Sequence, residues 1–225
     1  MIKHIFFDLD HTLWDFDRNS ALAFKRVFLK HHIELEIEKF LEAYEPINFS
    51  YWKEFREERV TKEQLRRGRL TDTFKMFNKE YSLEMIDVLA HSYIEELPFD
   101  NHLFSGTVEV LQYLSEKYTL HIITNGFEEV QHLKLKNSKI DHFFETVTTS
   151  EEVGVKKPNP KVFQRALEKA AALSHESVMI GDTFEADILG AEAIGMQTIF
   201  YNYRKETLPE TYCVVNSLLE IKRHL

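Results

Sequence analysis

The stretch Ile5-Phe6-Phe7-Asp8-Leu9-Asp10-His11-Thr12-Leu13, close to the start of the chain, indicates the fold. Its apolar run begins at Ile2, and such a run is typical of a strand buried on both faces of a parallel sheet. Open α/β sheets bind ligands in the crevice beyond the carboxyl ends of their strands, which is where Asp8 and Asp10 are placed. The stretch therefore predicts an α/β fold with two acids at a functional edge.

Asp8 and Asp10 suggest a metal site. Two carboxylates this close repel each other, so one of them becomes neutral unless a cation or hydrogen-bond donors compensate. A divalent ion compensates, and hard oxygen ligands favour Mg²⁺. With that ion present, one acid can stay ionised as a nucleophile while its neighbour transfers protons. A strand end with two solvated acids explains the same residues equally well at this stage.

Composition narrows the class of protein. The chain has 225 residues, enough for one domain with a smaller unit inserted in it, and it is 44% hydrophobic and 29% charged, as is usual for a globular protein. A net charge of -9 argues against binding to nucleic-acid polymers, whereas small anionic substrates remain compatible because a metal ion reverses the local field. Cys213 is the sole cysteine, which excludes an intramolecular disulfide and a cysteine-rich zinc site. Without a membrane-spanning run or a signal-peptide pattern, we expect a cytoplasmic protein with no membrane partner.

Two regions of the chain differ in their periodicity. Between about residues 34 and 97, apolar side chains recur at helical spacing, and we expect four amphipathic helices with a turn at Pro46 and an interruption at Gly68. From Thr107 onward, strands and helices alternate, which is typical of a parallel sheet. The prediction is a doubly wound, Rossmann-like α/β core over residues 1–15 and 98–225, with an all-helical cap domain inserted over residues 16–97.

Polar residues also follow two later strands of the predicted core. The strand over residues 120–123 leads into Thr124 and Asn125, where a hydroxyl and the following backbone N–H groups could hold an oxyanion at a helix N-terminus. The strand over residues 178–180 leads to Asp182, a further candidate metal ligand, and Asp187 could reach the waters of the metal or a lysine. For Thr124 and Asn125, a turn that caps the next helix is the plainer explanation. For Asp182 and Asp187, a helix cap and a solvated helix acid are the weaker explanation, because the strand end points into the same crevice.

Lys156 and Lys157 precede Pro158 in a stretch made rigid by prolines. A lysine beside a cluster of acids keeps its charge and can neutralise both an aspartate and a bound phosphate. A solvated lysine pair ahead of a helix is the alternative.

Taken in order, these segments resemble the four sequence motifs of the haloacid dehalogenase-like hydrolase superfamily, and the inserted helices match the cap of that family in position. The resemblance implies that Asp8 is a nucleophile that forms an aspartyl-phosphate and that Asp10 is the general acid and then the base. It implies that Thr124 and Lys157 hold the phosphoryl oxygens, and we assign Asn125 to the same phosphate site. It further implies a Mg²⁺ cofactor. The implied ligands are Asp8, the backbone carbonyl of Asp10, and Asp182, with support from Asp187.

The resemblance also bears on the substrate. Haloacid dehalogenases lack the second acid, so Asp10 favours a phosphatase. The inserted region is similar to the cap of the pyrimidine 5′-nucleotidase branch, which implies nucleoside 5′-monophosphates as substrates. Trp52 could stack on a base, and Asn48 or Arg69 could hydrogen-bond to its edge. The same aromatic residues would also suit the core of the cap, and its arginines would suit a solvated face.

Other activities stay open on the sequence. They are a sugar-phosphate phosphatase or a phosphomutase of the same fold and, with less support, a 2-haloacid dehalogenase or a non-catalytic binding protein. We expect the partner to be a small-molecule phosphate ester, bound by a monomer or a homodimer.

Overall fold

The computed structural model describes residues 1–207 and 211–225. The chain forms two compact units, one made of Met1–Phe16 with Asn101–Leu225 and the other of Asp17–Asp100. We call the first unit the core and the second the insert. Their boundaries lie within a few residues of the predicted ones.

The core is organised by a parallel sheet. Its strands in the described residues are β1 (His4–Phe7), β2 (Thr119–Thr124), β3 (Phe144–Thr149), β4 (Ser177–Gly181), β5 (Gln197–Tyr201) and β6 (Val214–Val215). The strand order is β3-β2-β1-β4-β5-β6, and every neighbouring pair is parallel. The chain moves outward from β1 to β3 and then returns to the other side of β1, so the carboxyl ends of β2, β1 and β4 flank a switch point where ligands bind in such folds. This arrangement confirms the predicted Rossmann-like α/β class.

Helices connect the strands and form the insert. They are α1 (Phe16–Lys30), α2 (Ile37–Arg56), α3 (Lys62–Lys75), α4 (Leu83–Glu96), α5 (Thr107–Ser115), α6 (Glu128–Asn137), α7 (Ser150–Val153), α8 (Pro160–Lys169) and α9 (Gly190–Glu192). A π-helical turn over Phe184–Leu189 leads into α9, and a 3₁₀-helix spans Leu218–Arg223. None of the helices among the described residues combines the length and apolar character needed to cross a bilayer.

Helix α8 covers one face of the sheet. The side chain of Asn159 accepts a hydrogen bond from the backbone N–H of Lys161, and Pro160 occupies the first helical position, where its missing N–H costs nothing. Val162 and Phe163 of this helix are fully buried in a cluster with residues of β1, β2 and β4. Burial on this scale stabilises the fold by about 2 kcal/mol for each large apolar side chain.

The insert packs around aromatic side chains. The ring of Phe24 on α1 lies 4.2 Å from that of Tyr93 on α4 and 4.7 Å from that of Tyr44 on α2, measured between ring centroids. All three rings are buried. Most of the aromatic periodicity in this region therefore forms the core of the insert, whereas Phe49 is 52% exposed.

The predicted turn at Pro46 is wrong, because Pro46 lies inside the continuous helix α2. A proline inside a helix removes one N–H donor and crowds an earlier carbonyl, at a cost of about 3 kcal/mol. Buried side chains on both sides of it, Tyr44 before and Phe55 after, offset this cost by packing against the rest of the insert.

The predicted interruption at Gly68 is also wrong, because Gly68 lies within α3. A Cβ atom at this position would lie 2.4 Å from the ring of Tyr51 on α2. Glycine is needed here for the close approach of α2 and α3, and not to break the helix.

Candidate active site

The ends of three adjacent strands bring the predicted polar residues together. Asp8 directly follows β1, Thr124 is the last residue of β2, and Asp182 directly follows β4. Because β1 pairs with both β2 and β4 in parallel, these three positions meet at one edge of the sheet.

Three acids form a cluster at this edge. One carboxylate oxygen each from Asp8, Asp182 and Asp187 lie within 4.8 Å of one another. The π-helical turn supplies Asp187, whose Oδ2 accepts a hydrogen bond of 3.0 Å from the backbone N–H of Thr183. The hydroxyl of Thr12 donates to Oδ1 of Asp182 over 3.2 Å. These contacts orient the carboxylates and leave other oxygens for a ligand.

The electrostatics of the cluster favour an added cation. Burial raises the pKa of Asp8 to about 8 against the opposing charge of Lys157, and the charges of Asp187 and Asp182 add to the rise. Burial is also the main cause that raises the pKa of Asp182 to about 6. One lysine cannot balance three carboxylates, whereas a divalent ion can. The donor set, three hard carboxylate oxygens, fits Mg²⁺.

Lys157 is the cation of this cluster. Its side chain is buried, and Nζ donates to Oδ1 of Asp8 over 2.7 Å and to the carbonyl oxygen of Ile123 over 2.8 Å. Nζ also lies 2.6 Å from Oδ1 of Asp187. Burial by itself lowers the pKa of Lys157, but the charges of Asp187 and Asp8 outweigh it and raise the pKa to about 12. Lys157 therefore stays charged at the edge of the cluster.

The side chain of Asn125 contacts the backbone of Lys157, and the place of Asn125 in the phosphate site stays a prediction. Its Oδ1 accepts from the backbone N–H of Lys157 over 2.9 Å, and its Nδ2 donates to the carbonyl oxygen of Lys157 over 3.0 Å. Both ends of the amide are thus used to hold the loop that carries Lys157. This pairing joins two loops that are far apart in the sequence, and no local pattern reveals it.

Thr124 has a hydroxyl prepared to donate. Its Oγ1 accepts from the backbone N–H of Gly126 over 3.0 Å and from Nε2 of Gln131 over 2.6 Å. A hydroxyl has two acceptor lone pairs and one donor hydrogen. With both lone pairs engaged, the hydrogen is directed toward a third partner, as binding of an oxyanion requires.

Asp10 is held apart from the three-acid cluster. Both oxygens of its carboxylate contact Nζ of Lys134, at 2.7 and 2.9 Å, and Oδ2 also accepts from Nε2 of Gln131 over 3.1 Å. The sequence reasoning did not identify Lys134 and Gln131. Their spacing of three residues on α6, which places them on one helix face directly after Thr124, is the signal that could have revealed them.

The insert brings together two of the three predicted cap residues. Arg69 is 2% exposed, and its Nη1 donates to Oδ1 of Asn48 over 2.9 Å. Its guanidinium carbon lies 5.2 Å from the centroid of the Tyr93 ring. Trp52 is half-buried and packs edge-on against Phe55, with ring centroids 5.7 Å apart. A solvated arginine face is therefore the wrong description for Arg69.

Comparisons with known proteins bear on the family of this chain. The sequence profile of the haloacid dehalogenase-like hydrolases matches residues 5–201. The chain is 33% identical over 225 residues to pyrimidine 5′-nucleotidase YjjG of Escherichia coli strain K12, which covers 98% of this chain and 96% of that protein. It is 32% identical over 206 residues to glyceraldehyde 3-phosphate phosphatase of Methanothermobacter thermautotrophicus, which covers 90% of this chain and 86% of that protein.

A solved structure is similar over the whole chain. The HAD-hydrolase YfnB from Bacillus subtilis, in a crystal structure with bound magnesium, superposes with a TM-score of 0.90 at 27% identity and covers 100% of this chain and 98% of its own. The profile match spans most of the chain, including the acid cluster, Lys157 and Thr124. The chain therefore belongs to the haloacid dehalogenase-like hydrolase family.

Proposed function

We propose that this hydrolase is a Mg²⁺-dependent phosphomonoesterase that acts through an aspartyl-phosphate, with nucleoside 5′-monophosphates as its substrates. The observation that supports this proposal most is that two acids only two residues apart have different contacts. Asp8 lies against Lys157 in the three-acid cluster, whereas Asp10 is held separately by Lys134 and Gln131. These different contacts support a nucleophile role for Asp8 and a proton-transfer role for Asp10.

In the first step, a carboxylate oxygen of Asp8 attacks phosphorus and the ester P–O bond breaks. Asp10 gives its proton to the departing oxygen, which leaves as an alcohol. The ammonium of Lys157 and the hydroxyl of Thr124 are the donors available for the phosphoryl oxygens, and such donors stabilise the charge that develops there.

In the second step, the Asp10 carboxylate takes a proton from water, and the water oxygen attacks phosphorus. The bond between phosphorus and the Asp8 oxygen breaks, releasing inorganic phosphate and restoring the Asp8 carboxylate. Asp10 thereby regains the proton that it gave up in the first step, so the cycle closes.

The cofactor follows from the donor set. Asp8, Asp182 and the backbone carbonyl of Asp10 would hold Mg²⁺, with Asp187 in support. The ion would supply positive charge to the attacking group and the phosphoryl oxygens. The magnesium-bound YfnB structure, similar over the whole chain, supports this choice of ion.

The choice of nucleotide rests on the insert and on YjjG. Arg69 is buried, is paired with no carboxylate among the described residues, and has an Nε atom without a hydrogen-bond partner there. A buried guanidinium without a carboxylate partner is costly, and binding of a ligand is one reason for a protein to retain such a residue. We propose that Arg69 and Asn48 recognise the polar edge of the base and that Trp52 adds an aromatic contact. Because the match to YjjG includes the insert, it supports the same choice.

A sugar-phosphate phosphatase is the second candidate. The similarity to glyceraldehyde 3-phosphate phosphatase covers 90% of this chain at nearly the same identity as the match to YjjG. In this proposal the core residues described above contact only the phosphate group, so they would serve either substrate.

Phosphate release from a panel of esters tests these proposals. The panel contains pyrimidine and purine nucleoside monophosphates, glyceraldehyde 3-phosphate and p-nitrophenyl phosphate, each with Mg²⁺ and with a chelator. We expect chelator-sensitive release that is fastest with pyrimidine nucleotides. Fastest release from the sugar phosphate would select the second candidate, and halide release from a 2-haloacid without Mg²⁺ would refute the phosphatase.

Variants of the two acids test the mechanism in the same assay. Asp8→Asn and Asp10→Asn should each lower kcat at least about 100-fold, because one loses the nucleophile and the other the acid and base. The matched control is Asp141→Asn, which changes a solvent-exposed acid of the core unit. This variant should keep wild-type kcat. Turnover at the wild-type rate in Asp8→Asn would refute the covalent mechanism.

A further inference from the structure

The contacts of Asp10 extend beyond the residues that the proposed mechanism uses. Lys134 lies on α6, more than a hundred positions along the chain from Asp10, yet its ammonium contacts both carboxylate oxygens at 2.7 and 2.9 Å. A pair of contacts from one donor to both oxygens restricts rotation of the carboxylate. The orientation of Asp10 is therefore set by a neighbouring helix as well as by its own loop.

Lys134 is buried in a setting that suits its contact with Asp10. The residue is 1% exposed, and Nζ lies 4.5 Å from the ring centroid of Trp14 and 5.3 Å from that of Phe16. Burying an ammonium is costly unless charges or aromatic faces compensate. Here the carboxylate of Asp10 and the two rings compensate. Lysines that serve solubility remain at the surface, as Lys136 does two positions later on the same helix.

Gln131 links Asp10 to the neighbouring strand end. Its Nε2 donates to Oδ2 of Asp10 over 3.1 Å and to Oγ1 of Thr124 over 2.6 Å. Both partners of this nitrogen are oxygen acceptors, so the NH2 end of the Gln131 amide faces Asp10 and Thr124. The same amide group thus holds Asp10 and Thr124 in fixed relation.

Gly126 provides the space for this arrangement. A Cβ atom at residue 126 would lie 2.2 Å from Nε2 of Gln131 and 3.0 Å from Oδ2 of Asp10. Any larger residue would displace the amide group or the carboxylate. Close packing of the backbone thus adds to the restraint on Asp10.

We propose that Lys134 is a positioning residue for the acid-base group: with Gln131, it fixes the orientation of the Asp10 carboxylate relative to Thr124. This inference rests on the proposed phosphatase function. Lys134 acts through Asp10 and need not contact the substrate. The benefit is geometric, because a catalytic group displaced by about 1 Å loses a large part of its contribution to the rate.

The positioning role predicts a dependence on the leaving group. The ratio kcat/KM covers the steps through departure of the alcohol, and that step needs a proton from Asp10 when the leaving group is a poor one. Lys134→Met, which keeps the length of the side chain and its packing on Trp14, should lower kcat/KM for alkyl phosphates at least about tenfold. For p-nitrophenyl phosphate, whose leaving group departs without a proton, the loss should be less than about threefold. Inhibition by inorganic phosphate should not change, because the phosphate donors remain.

A double-mutant comparison separates positioning from a general structural effect. In an Asp10→Asn background, Lys134→Met should lower the rate no further, because its target has already been removed. Lys134→Arg, which keeps the charge, should recover part of the loss with alkyl phosphates. Lys136→Met is the control on the same helix and should match the wild type. Gly126→Ala should reproduce the leaving-group dependence and provides a second route should Lys134→Met fold poorly by circular dichroism.

Two results would overturn the inference. One is equal loss of kcat/KM for alkyl and aryl phosphates in both Lys134→Met and Gly126→Ala, or no loss in either. The other is a full additional loss from Lys134→Met in the Asp10→Asn background. Failure of the phosphatase proposal looks different, because the wild-type protein itself would then release phosphate from no ester.

Discussion

Lys157 shows what a single residue contributes to this site. Its ammonium is held by a carboxylate on one strand end, a carbonyl oxygen on the next and an acid of the π-helical turn. Its backbone is held by the amide of Asn125 on both sides of the residue. The charge therefore has a fixed position, which suits the role that we propose for Lys157 toward the phosphoryl oxygens.

This rigidity leads to a prediction for the two adjacent lysines. Lys157→Met should lower kcat at least about 100-fold, because the site loses a preorganised donor for the phosphoryl oxygens. It should also weaken competitive inhibition by inorganic phosphate. Lys156→Met, at the half-buried position just before, removes a charge that the proposed mechanism does not use and should change kcat by less than about twofold. Steady-state kinetics on one good substrate checks both, and equal losses in the two variants would contradict the assignment of Lys157.

At the scale of elements, the pairing of β1 with β2 brings the half-buried His4 against the buried His121. Nδ1 of His4 lies 3.2 Å from Nε2 of His121, and Nδ1 of His121 lies 2.9 Å from Oγ1 of Thr146 on β3. The His121 ring also stacks on Phe6, with centroids 4.6 Å apart. Burial, with a smaller effect from His4, lowers the pKa of His121 from 6.5 to about 4. The strand pair is thus built around a neutral imidazole.

The lowered pKa makes the sheet sensitive to acid. Unfolding exposes His121 and returns its pKa to about 6.5, so the unfolded chain takes up a proton that the folded chain excludes. The stabilisation of the fold by neutral His121 is complete above pH 6.5 and is lost as the pH falls from 6.5 toward 4. When the pH is lowered from 7 to 5, the free energy of unfolding should therefore fall by about 1 to 2 kcal/mol more in the wild type than in His121→Gln. Denaturant titrations at the two pH values measure this difference.

The matched control for this experiment is His132→Gln, which changes an exposed histidine on α6. It should show the acid dependence of the wild type. An unchanged dependence in His121→Gln would mean that other groups cause the acid sensitivity.

At the scale of the whole molecule, the residues of the proposed mechanism and those proposed to recognise the base lie in different units. The core contains the acid cluster, Lys157 and the Asp10 contacts, which we propose act on the phosphate group. The insert contains the buried pair of Arg69 and Asn48 among aromatic rings. If the insert selects the alcohol part of the ester, a change there should alter substrate preference and leave the chemistry intact.

Arg69→Met tests this division. We expect kcat/KM for pyrimidine nucleoside monophosphates to fall about tenfold, the size of effect expected for loss of a specific hydrogen bond to a charged group. For p-nitrophenyl phosphate, which has no base to recognise, kcat/KM should stay within about twofold of the wild type. Arg67→Met is the control on the same helix, because Arg67 pairs with Asp87 and Glu63 at the surface of the insert. A parallel loss on both substrates in Arg69→Met would show a structural role instead.

Local patterns are enough to predict the fold class and the meeting of Asp8, Thr124 and Asp182 at one edge of the sheet. The apolar run into Asp8, and the strands leading into Thr124 and Asp182, are properties of short segments, and parallel strands must bring their carboxyl ends to one edge. The predictions of a turn at Pro46 and an interruption at Gly68 are wrong because tertiary packing decides whether a helix continues. At Pro46 tertiary contacts offset a local penalty, and at Gly68 they require the missing side chain.

The alternation of strands and helices can be predicted from the chain alone, as can the inserted helical region and the order of the acids and Lys157, because these depend on periodicity and on neighbouring residues. Which side chains meet depends on tertiary packing: Asn125 contacts the backbone of Lys157, Lys134 contacts Asp10, and Arg69 contacts Asn48. Each of these contacts joins residues at least twenty positions apart. Their partners are chosen by burial and by the need of buried polar groups for hydrogen bonds, and both arise only when the elements have packed.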